Sequence, residues 1–200
     1  MVLLGPAHRM PVRGLALPQA EEFATPLGHV CVDQAACDII RTLPQVISSD
    51  AAHALEHSLE VQLPFLQKVL GEFALVPLAV GDASRGEVAE VLDALWGGPE
   101  TLIVVSSDLS HYHSYEQAER LDRETCETIR RLDADVDHEQ ACGGTPINGL
   151  MEVARRRRLV PHARPGPGSA GSQAGRSAMS GFIGSLPPNS APFTGSRTIC

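Results

Sequence analysis

Two runs of apolar residues have the composition of strands that are covered on both faces. Residues 73–80 read FALVPLAV and residues 101–105 read TLIVV, with scarcely a polar position in either run. Such a run is typical of a strand in a parallel sheet, because helices pack against both faces of that kind of sheet. Shorter apolar stretches at residues 2–4, 15–17 and 46–47 predict three more strands.

Apolar residues at helical spacing lie between these strands. Asp33 can cap a helix over about residues 34–43. Leucines recur at intervals of three and four over residues 55–70 and predict another helix, which Pro64 should kink or divide.

Residue pairs that suit helix starts predict three later helices. In two of them a Ser is followed three positions later by Glu or Gln, and in the third a Thr precedes Pro. These pairs are Ser84 with Glu87, Ser114 with Gln117, and Thr145 with Pro146.

Strands that alternate with amphipathic helices predict an α/β fold. We expect residues 1–160 to form a single domain in which helices flank a mainly parallel central sheet. Residues 161–200 are rich in Gly, Pro and Ser, so we expect a tail that is poorly ordered or diverged. Within that tail the run GFIG at residues 181–184 predicts a short last strand.

Composition and charge exclude several classes of function. The formal net charge of −8 argues against a nucleic-acid partner, which needs a basic surface. No apolar run approaches the length of a membrane span, and the amino terminus lacks the pattern of a secretory signal. The five cysteines form no C-x-x-C pair, so we expect neither a zinc finger nor a disulfide scaffold. These features favour a cytoplasmic protein with no membrane partner.

Residues with metal-binding or acid–base chemistry follow the predicted strands. His8 comes after the first strand, and Asp108 and His111 come after the strand at residues 101–105. Cys142 precedes a predicted helix, where free N–H groups and the helix dipole favour a thiolate. Ligands of open parallel sheets bind outside the carboxyl ends of the strands, so these residues together predict a site. Singly, each is as well explained as a loop histidine, a small buried cysteine or a helix cap.

The segment HALEH offers a different site. His53, Glu56 and His57 have the H-x-x-E-H spacing of the zinc ligands and general base in one class of metalloproteases. Those enzymes need a further carboxylate on a second helix far downstream, and the chain has little helical pattern there. A metal-dependent hydrolase that acts at the strand ends described above remains an alternative.

Four strings occur in order over residues 2–157 and together resemble the Memo family. They are LLGPAH, EHSLEVQLPFL, VVSSDLSHY and CGGTPI. Bacterial members of this family are also called AmmeMemoRadiSam system protein B. The EHS motif of the family does not extend back to His53, so the resemblance makes the H-x-x-E-H spacing accidental.

The resemblance implies a fold like that of the class III extradiol dioxygenases, also called LigB-like. In those enzymes two histidines and a carboxylate hold a non-haem iron and leave positions open for substrate and dioxygen. Carried onto this chain, it makes His8 and Cys142 the metal ligands, with iron or copper as the expected ion and zinc as a further option. His111 resembles the acid–base histidine of the pocket, and Asp108 resembles the acid that orients it.

Two further residues of the EHS motif, Glu56 and His57, are expected to support or line the same pocket. The implied function is a metal-dependent oxidation of a small molecule, carried out by a non-haem metal-dependent oxidoreductase. The alternative that the family suggests is a non-catalytic module that binds a peptide or phosphopeptide.

The chain departs from the family at both ends. Family members carry an upstream PHAG stretch, whose histidine is another candidate ligand, and we expect the domain to be N-terminally incomplete without it. They also end on an apolar strand after an NSGD-like loop, a pattern that residues 161–200 lack.

Overall fold

A computed structural model describes residues 1–133 and 135–161. The strands in these ranges are β1 (Val2–Pro6), β2 (Leu15–Leu17), β3 (Glu22–Thr25), β4 (Gly28–Cys31), β5 (Val46–Ser48), β6 (Val76–Val80) and β7 (Ile103–Val105). The helices are α1 (Gln34–Arg41), α2 (Asp50–Ala54), α3 (Leu63–Leu70), α4 (Arg85–Ala94), α5 (Tyr115–Arg131) and α6 (Gly144–Arg156), with a 3-10 helix at Glu60–Gln62.

Five of the strands form one mixed sheet in the order β5-β2-β6-β1-β7. β1 is the fourth strand in this order. It lies between β6 and β7 and is parallel to both. β2 is parallel to β5 but antiparallel to β6. The prediction of an α/β fold with a mainly parallel central sheet is therefore confirmed.

The reversed direction of β2 follows from the short connection before it. Residues 7–14 join β1 to β2, whereas a crossover that returns a strand parallel to its predecessor needs a dozen or more residues. Gly14 has a positive φ of 85°, and a Cβ there would lie 2.0 Å from the carbonyl oxygen of Gln45. Only glycine fits this turn, which leads the chain into β2 beside β5.

The sheet is covered on both faces, and its strands alternate their side chains between two apolar layers. One layer contains the buried faces of α1, α4 and α6. The other is smaller and contains residues of β4, α2, α3 and the segment before α3. Leu4 and Leu78 point into the first layer, and Leu3 and Ala79 into the second.

Several predicted helix starts are confirmed. The carboxylate of Asp33 accepts the backbone N–H of Ala36 at 3.0 Å and caps α1. Ser84 with Glu87, and Ser114 with Gln117, form capping boxes before α4 and α5.

The prediction of one helix over residues 55–70 is wrong. α2 ends at Ala54 and α3 begins only at Leu63, with Pro64 in its first turn. The residues between them include the EHS motif, in which the backbone N–H groups of His57 and Ser58 bond to the side chain of Glu56. Thr145 is also not a cap, because α6 begins at Gly144, with Gly143 in the cap position.

The hairpin of β3 and β4 was not predicted. The tail at residues 162–200, with its predicted GFIG strand, lies outside the described residues. In the described part of the chain, no helix has the length and apolarity that crossing a membrane requires.

Candidate functional site

The carboxyl ends of β6, β1 and β7 meet at one edge of the sheet, since these three neighbouring strands run in the same direction. An open cleft of about 400 Å³ lies at this edge. Its apolar lining comes from the segment after β1, including Met10 and Pro11, and its polar lining includes His8, Asp82 and Cys142. Two residues predicted as metal ligands, His8 and Cys142, therefore share one cleft although they are far apart in the sequence.

Glu56 holds His8 in place. Its Oε1 lies 3.0 Å from Nδ1 of His8, and its Oε2 accepts the backbone N–H of the same residue. Oε1 also accepts the backbone N–H groups of His57 and Ser58, each at 3.0 Å. One carboxylate thus binds the ring and the backbone of His8 and, at the same time, its own loop.

The loop that carries Glu56 is fastened to the end of β1. The hydroxyl of Ser58 donates to the carbonyl oxygen of Pro6 at 2.9 Å. A Cβ on Gly5 would lie 2.6 Å from this hydroxyl oxygen, so the absence of a side chain at Gly5 permits the approach. The GPAH and EHS motifs are therefore two halves of one packed unit.

Glu56 is a permanent anion at physiological pH. Its side chain is only 3% exposed, and burial by itself would raise its pKa. The hydrogen bonds from the backbone and ring of His8 and from the backbone of Ser58 outweigh burial and lower the pKa to about 2.

Cys142 is anchored to the loop that follows β7. Its Sγ accepts the backbone N–H of Asp108 at 3.2 Å, and its own N–H donates to the carbonyl oxygen of Asp108 at 3.2 Å. The N–H of Gly143 donates to the hydroxyl of Ser107 at 2.8 Å. A Cβ on Gly143 would lie 2.7 Å from the Cβ of Ser107, which explains the glycine after the cysteine. The thiol therefore has a fixed position at the strand end.

His111 and Asp108 lie side by side at the surface. Nε2 of His111 is 3.6 Å from Oδ2 of Asp108, and the two side chains are 41% and 63% exposed. At this distance they form an ion-pair contact and not a hydrogen bond. Neither residue is among those that line the cleft, although the backbone of Asp108 touches Cys142. Their predicted acid–base roles stay predictions.

The H-x-x-E-H segment does not form a metal-binding helix face. His53 lies on α2 and its Nε2 is 3.0 Å from the carbonyl oxygen of Ala16. His57 is exposed and its Nδ1 lies 2.6 Å from Glu60. Glu56 faces His8. His57 is not among the residues that line the cleft, and Glu56 lies behind the cleft residue His8.

His138 is a cleft residue that the sequence did not reveal. It lines the cleft with Cys142, and its Nδ1 lies 3.4 Å from the carbonyl oxygen of Cys142. Its Nε2 lies 3.3 Å from the hydroxyl of Thr145. The one available signal was its position four residues before Cys142, in a short turn that had to fold back towards the start of α6.

The donor set fits a transition metal in kind but is incomplete. An imidazole whose second nitrogen is bonded to a carboxylate, beside a thiol, is the ligand chemistry of iron, copper or zinc. Within residues 1–133 and 135–161, however, no three or more His, Cys, Asp or Glu side chains are grouped so as to hold a metal ion. The described residues therefore supply part of a coordination shell.

Comparison with known proteins gives consistent matches in sequence. A family profile described as "Memo-like protein" matches residues 1–166. A MEMO1 family protein of Thermotoga petrophila is 32% identical over 179 residues, which cover 83% of this chain and 65% of the relative. A MEMO1 family protein of Archaeoglobus fulgidus is 32% identical over 209 residues, which cover 92% of this chain and 74% of the relative. This chain thus spans just under two thirds of the length of the Thermotoga protein.

Comparison with solved structures gives a weaker match than the comparison of sequences. A crystal structure of an uncharacterized protein from Escherichia coli K12 aligns with a TM-score of 0.46 and 16% sequence identity, over 76% of this chain and 73% of that one. A likeness of this size establishes neither a shared fold nor a shared function. The fold described above stands on the strands and helices of the chain itself.

Proposed function

The chain belongs to the Memo family, and from this premise we propose that the cleft at the carboxyl ends of β1 and β7 is its functional site and binds a transition metal ion. His8 and Cys142 are the two ligands that this chain contributes. Water would supply further ligands. The observation that carries the proposal is that an oriented imidazole and an anchored thiol, distant in sequence, line one cleft.

The proposed activity is a metal-dependent oxidation of a small molecule that enters the cleft, as in the dioxygenase-like enzymes that the family resembles. A redox-active ion such as iron or copper would supply the electron transfer to dioxygen, whereas zinc would supply Lewis acidity alone. The residues of the chain have separate tasks. His8 and Cys142 bind, and the apolar wall that includes Met10 and Pro11 excludes water from one side of the ligand.

His111 is the proposed acid–base group, and Asp108 is its orienting acid. An imidazole can accept or donate a proton near neutral pH, and Nε2 of His111 lies 3.6 Å from Oδ2 of Asp108. The backbone N–H of Asp108 donates to Sγ of Cys142, so this acid–base pair is in direct contact with the proposed metal ligand.

Metal content tests the proposal. Element-resolved analysis of the purified full chain should find about one iron, copper or zinc ion per molecule, and His8→Ala and Cys142→Ser should each abolish it. His29→Ala is the matched control, because His29 pairs with Glu22 on the β3–β4 hairpin and does not line the cleft. Metal that is absent from the wild type, or retained in both cleft variants, would refute the metal site.

One observation favours a second candidate, the binding of a peptide without catalysis. The loop after β7 contacts the cleft residue Cys142 through the backbone of Asp108, and its Tyr112 is fully exposed on a backbone with a positive φ of 61°. A peptide could pack against this loop while its end enters the cleft. Peptide binding that survives chelation and both cleft substitutions, but is lost in Tyr112→Ala, would favour this candidate over the first.

A further inference from the structure

The ring of His8 has one nitrogen committed to a partner and one that is not. Nδ1 lies 3.0 Å from Oε1 of Glu56. Among residues 1–133 and 135–161, Nε2 has no hydrogen-bond partner. A neutral imidazole carries a single N–H, and its neighbour decides which nitrogen bears it.

Glu56 can only accept in this contact. Its Oε1 already accepts the backbone N–H groups of His57 and Ser58, and its Oε2 accepts the backbone N–H of His8, so both oxygens act as acceptors. A carboxylate has no hydrogen to donate. The hydrogen between the two residues must therefore lie on Nδ1 of His8.

We infer that Glu56 is a positioning residue that fixes His8 in the Nδ1–H tautomer and leaves Nε2 as the electron-pair donor of the cleft. Of the two roles expected from the sequence, supporting or lining the pocket, this is the supporting one, since Glu56 itself is buried behind His8. It also explains why a buried carboxylate belongs in a loop that otherwise carries no chemistry.

The carboxylate can perform this role because it cannot turn away. Besides the His8 ring it accepts three backbone N–H groups, from His8, His57 and Ser58. The Glu56 side chain is only 3% exposed, and its rotation would break all of these hydrogen bonds, which is costly. The same carboxylate accepts the backbone N–H of His8. It therefore fixes both the backbone position of His8 and the rotation of its ring.

The inference deepens the proposed function, and it rests on that proposal only for what Nε2 binds. Histidines that ligate metals generally donate their other ring N–H to a carboxylate or carbonyl, and loss of that partner lowers metal affinity about 10- to 100-fold. The tautomer itself does not depend on any metal.

Nitrogen-15 spectra of the histidine-labelled full chain test the tautomer directly. We expect long-range proton–nitrogen correlations of metal-free protein at about pH 8, where imidazoles are largely neutral, to show His8 with a protonated Nδ1 and a bare Nε2. His8→Ala assigns the signal. In Glu56→Ala the signal should move towards that of the other tautomer. In Glu60→Ala, which removes the partner of the neighbouring exposed His57, the His8 signal should not change.

Two results would overturn the inference. One is a wild-type His8 that carries its proton on Nε2, and this result needs no variant and so holds even if Glu56→Ala fails to fold. The other is an unchanged His8 signal in a folded Glu56→Ala protein.

A zinc titration of the same proteins separates the inference from the proposed function. Glu56→Ala should bind zinc about 10- to 100-fold more weakly than the wild type, and Glu60→Ala should bind it equally well. If the wild type binds no metal but His8 is the Nδ1–H tautomer, the metal site fails and the role of Glu56 stands. If zinc binds but His8 carries its proton on Nε2, the role of Glu56 fails and the metal site stands.

Discussion

Replacing Gly149 with alanine should destabilise the protein, although alanine is the better helix former. Gly149 lies in α6, on the side that packs against α4. A Cβ at this position would lie 2.3 Å from Cγ1 and 2.4 Å from Cβ of Val88, whereas carbon atoms in good contact are about 3.5–4.0 Å apart. The Cβ of Val88 is fixed to its backbone, so a change of rotamer cannot make room and the helices must separate.

The magnitude follows from two opposing effects. Alanine in place of glycine in a helix interior stabilises by about 1 kcal/mol. Overpacking in a well-filled core costs about 1–3 kcal/mol. We expect the cost of the clash with Val88 to lie near the upper end of this range, because the backbone has to move. The free energy of unfolding should therefore fall by about 2 kcal/mol, and the shift of α6 should also displace Cys142, which precedes its first turn.

Urea unfolding followed by circular dichroism measures this change, with Gly86→Ala as the matched control. Gly86 is also helical, but the nearest atom to its added Cβ would be Oγ of Ser84 at 3.8 Å, so the substitution has room. Gly86→Ala should stabilise the protein by up to about 1 kcal/mol, and the two variants should move in opposite directions. A Gly149→Ala protein as stable as the wild type would refute the packing argument.

Three further predictions concern thiol reactivity, capping and pH. Burial raises the pKa of the Cys37 thiol to about 11, so iodoacetamide at about pH 8 should modify Cys142 and spare Cys37; peptide mass mapping that finds Cys37 modified in folded protein would contradict this. Asp33→Ala should lower the free energy of unfolding by about 1 kcal/mol through loss of the α1 cap, whereas Asp33→Asn, an equally good cap, should change it little in the same urea assay. Burial lowers the pKa of His53 from its ordinary value of 6.5, so the unfolded chain binds more protons below that pH and stability should fall as the solution is acidified. His53→Gln should weaken this dependence, and a wild-type stability that is flat between about pH 7 and 5 would count against it.

Elements whose determinants lie within a few residues were predictable from the sequence. The Asp33 cap, the capping box of Ser84 and Glu87, and the apolar strands β6 and β7 depend on local spacing alone. The β3–β4 hairpin was not predictable in this way, because its strands are short and largely exposed. Its turn at residues 26–27 gives only a weak signal.

The error over residues 55–70 has a tertiary cause. The leucine pattern was correct for α3, but Glu56 captures the backbone N–H groups of His57 and Ser58 and so removes them from any helical ladder. Glu56 also bonds to His8, which lies after the end of β1. The sequence near residue 56 does not reveal this long-range contact.

The candidate site was predictable to the extent that topology decided it. The rule that ligands bind at the carboxyl ends of parallel strands brought His8 and Cys142 together in advance, and the cleft contains both. The location of His138 depends on how residues 137–141 fold against the start of α6, which spacing does not encode. The roles of His111 and Asp108 stay predictions, because their side chains lie at the surface beside the cleft.

The arrangement of strands in the sheet also determines the order in which the protein can be assembled during synthesis. β1 lies between β6 and β7, and each β1 residue pairs with a β6 residue that leaves the ribosome 74 residues later. Until then a fully apolar strand has both edges open and can pair with other nascent chains. We therefore expect folding to be slow and dominated by long-range pairing, and expression in cells to depend on chaperones that bind the β1 segment before β6 is made.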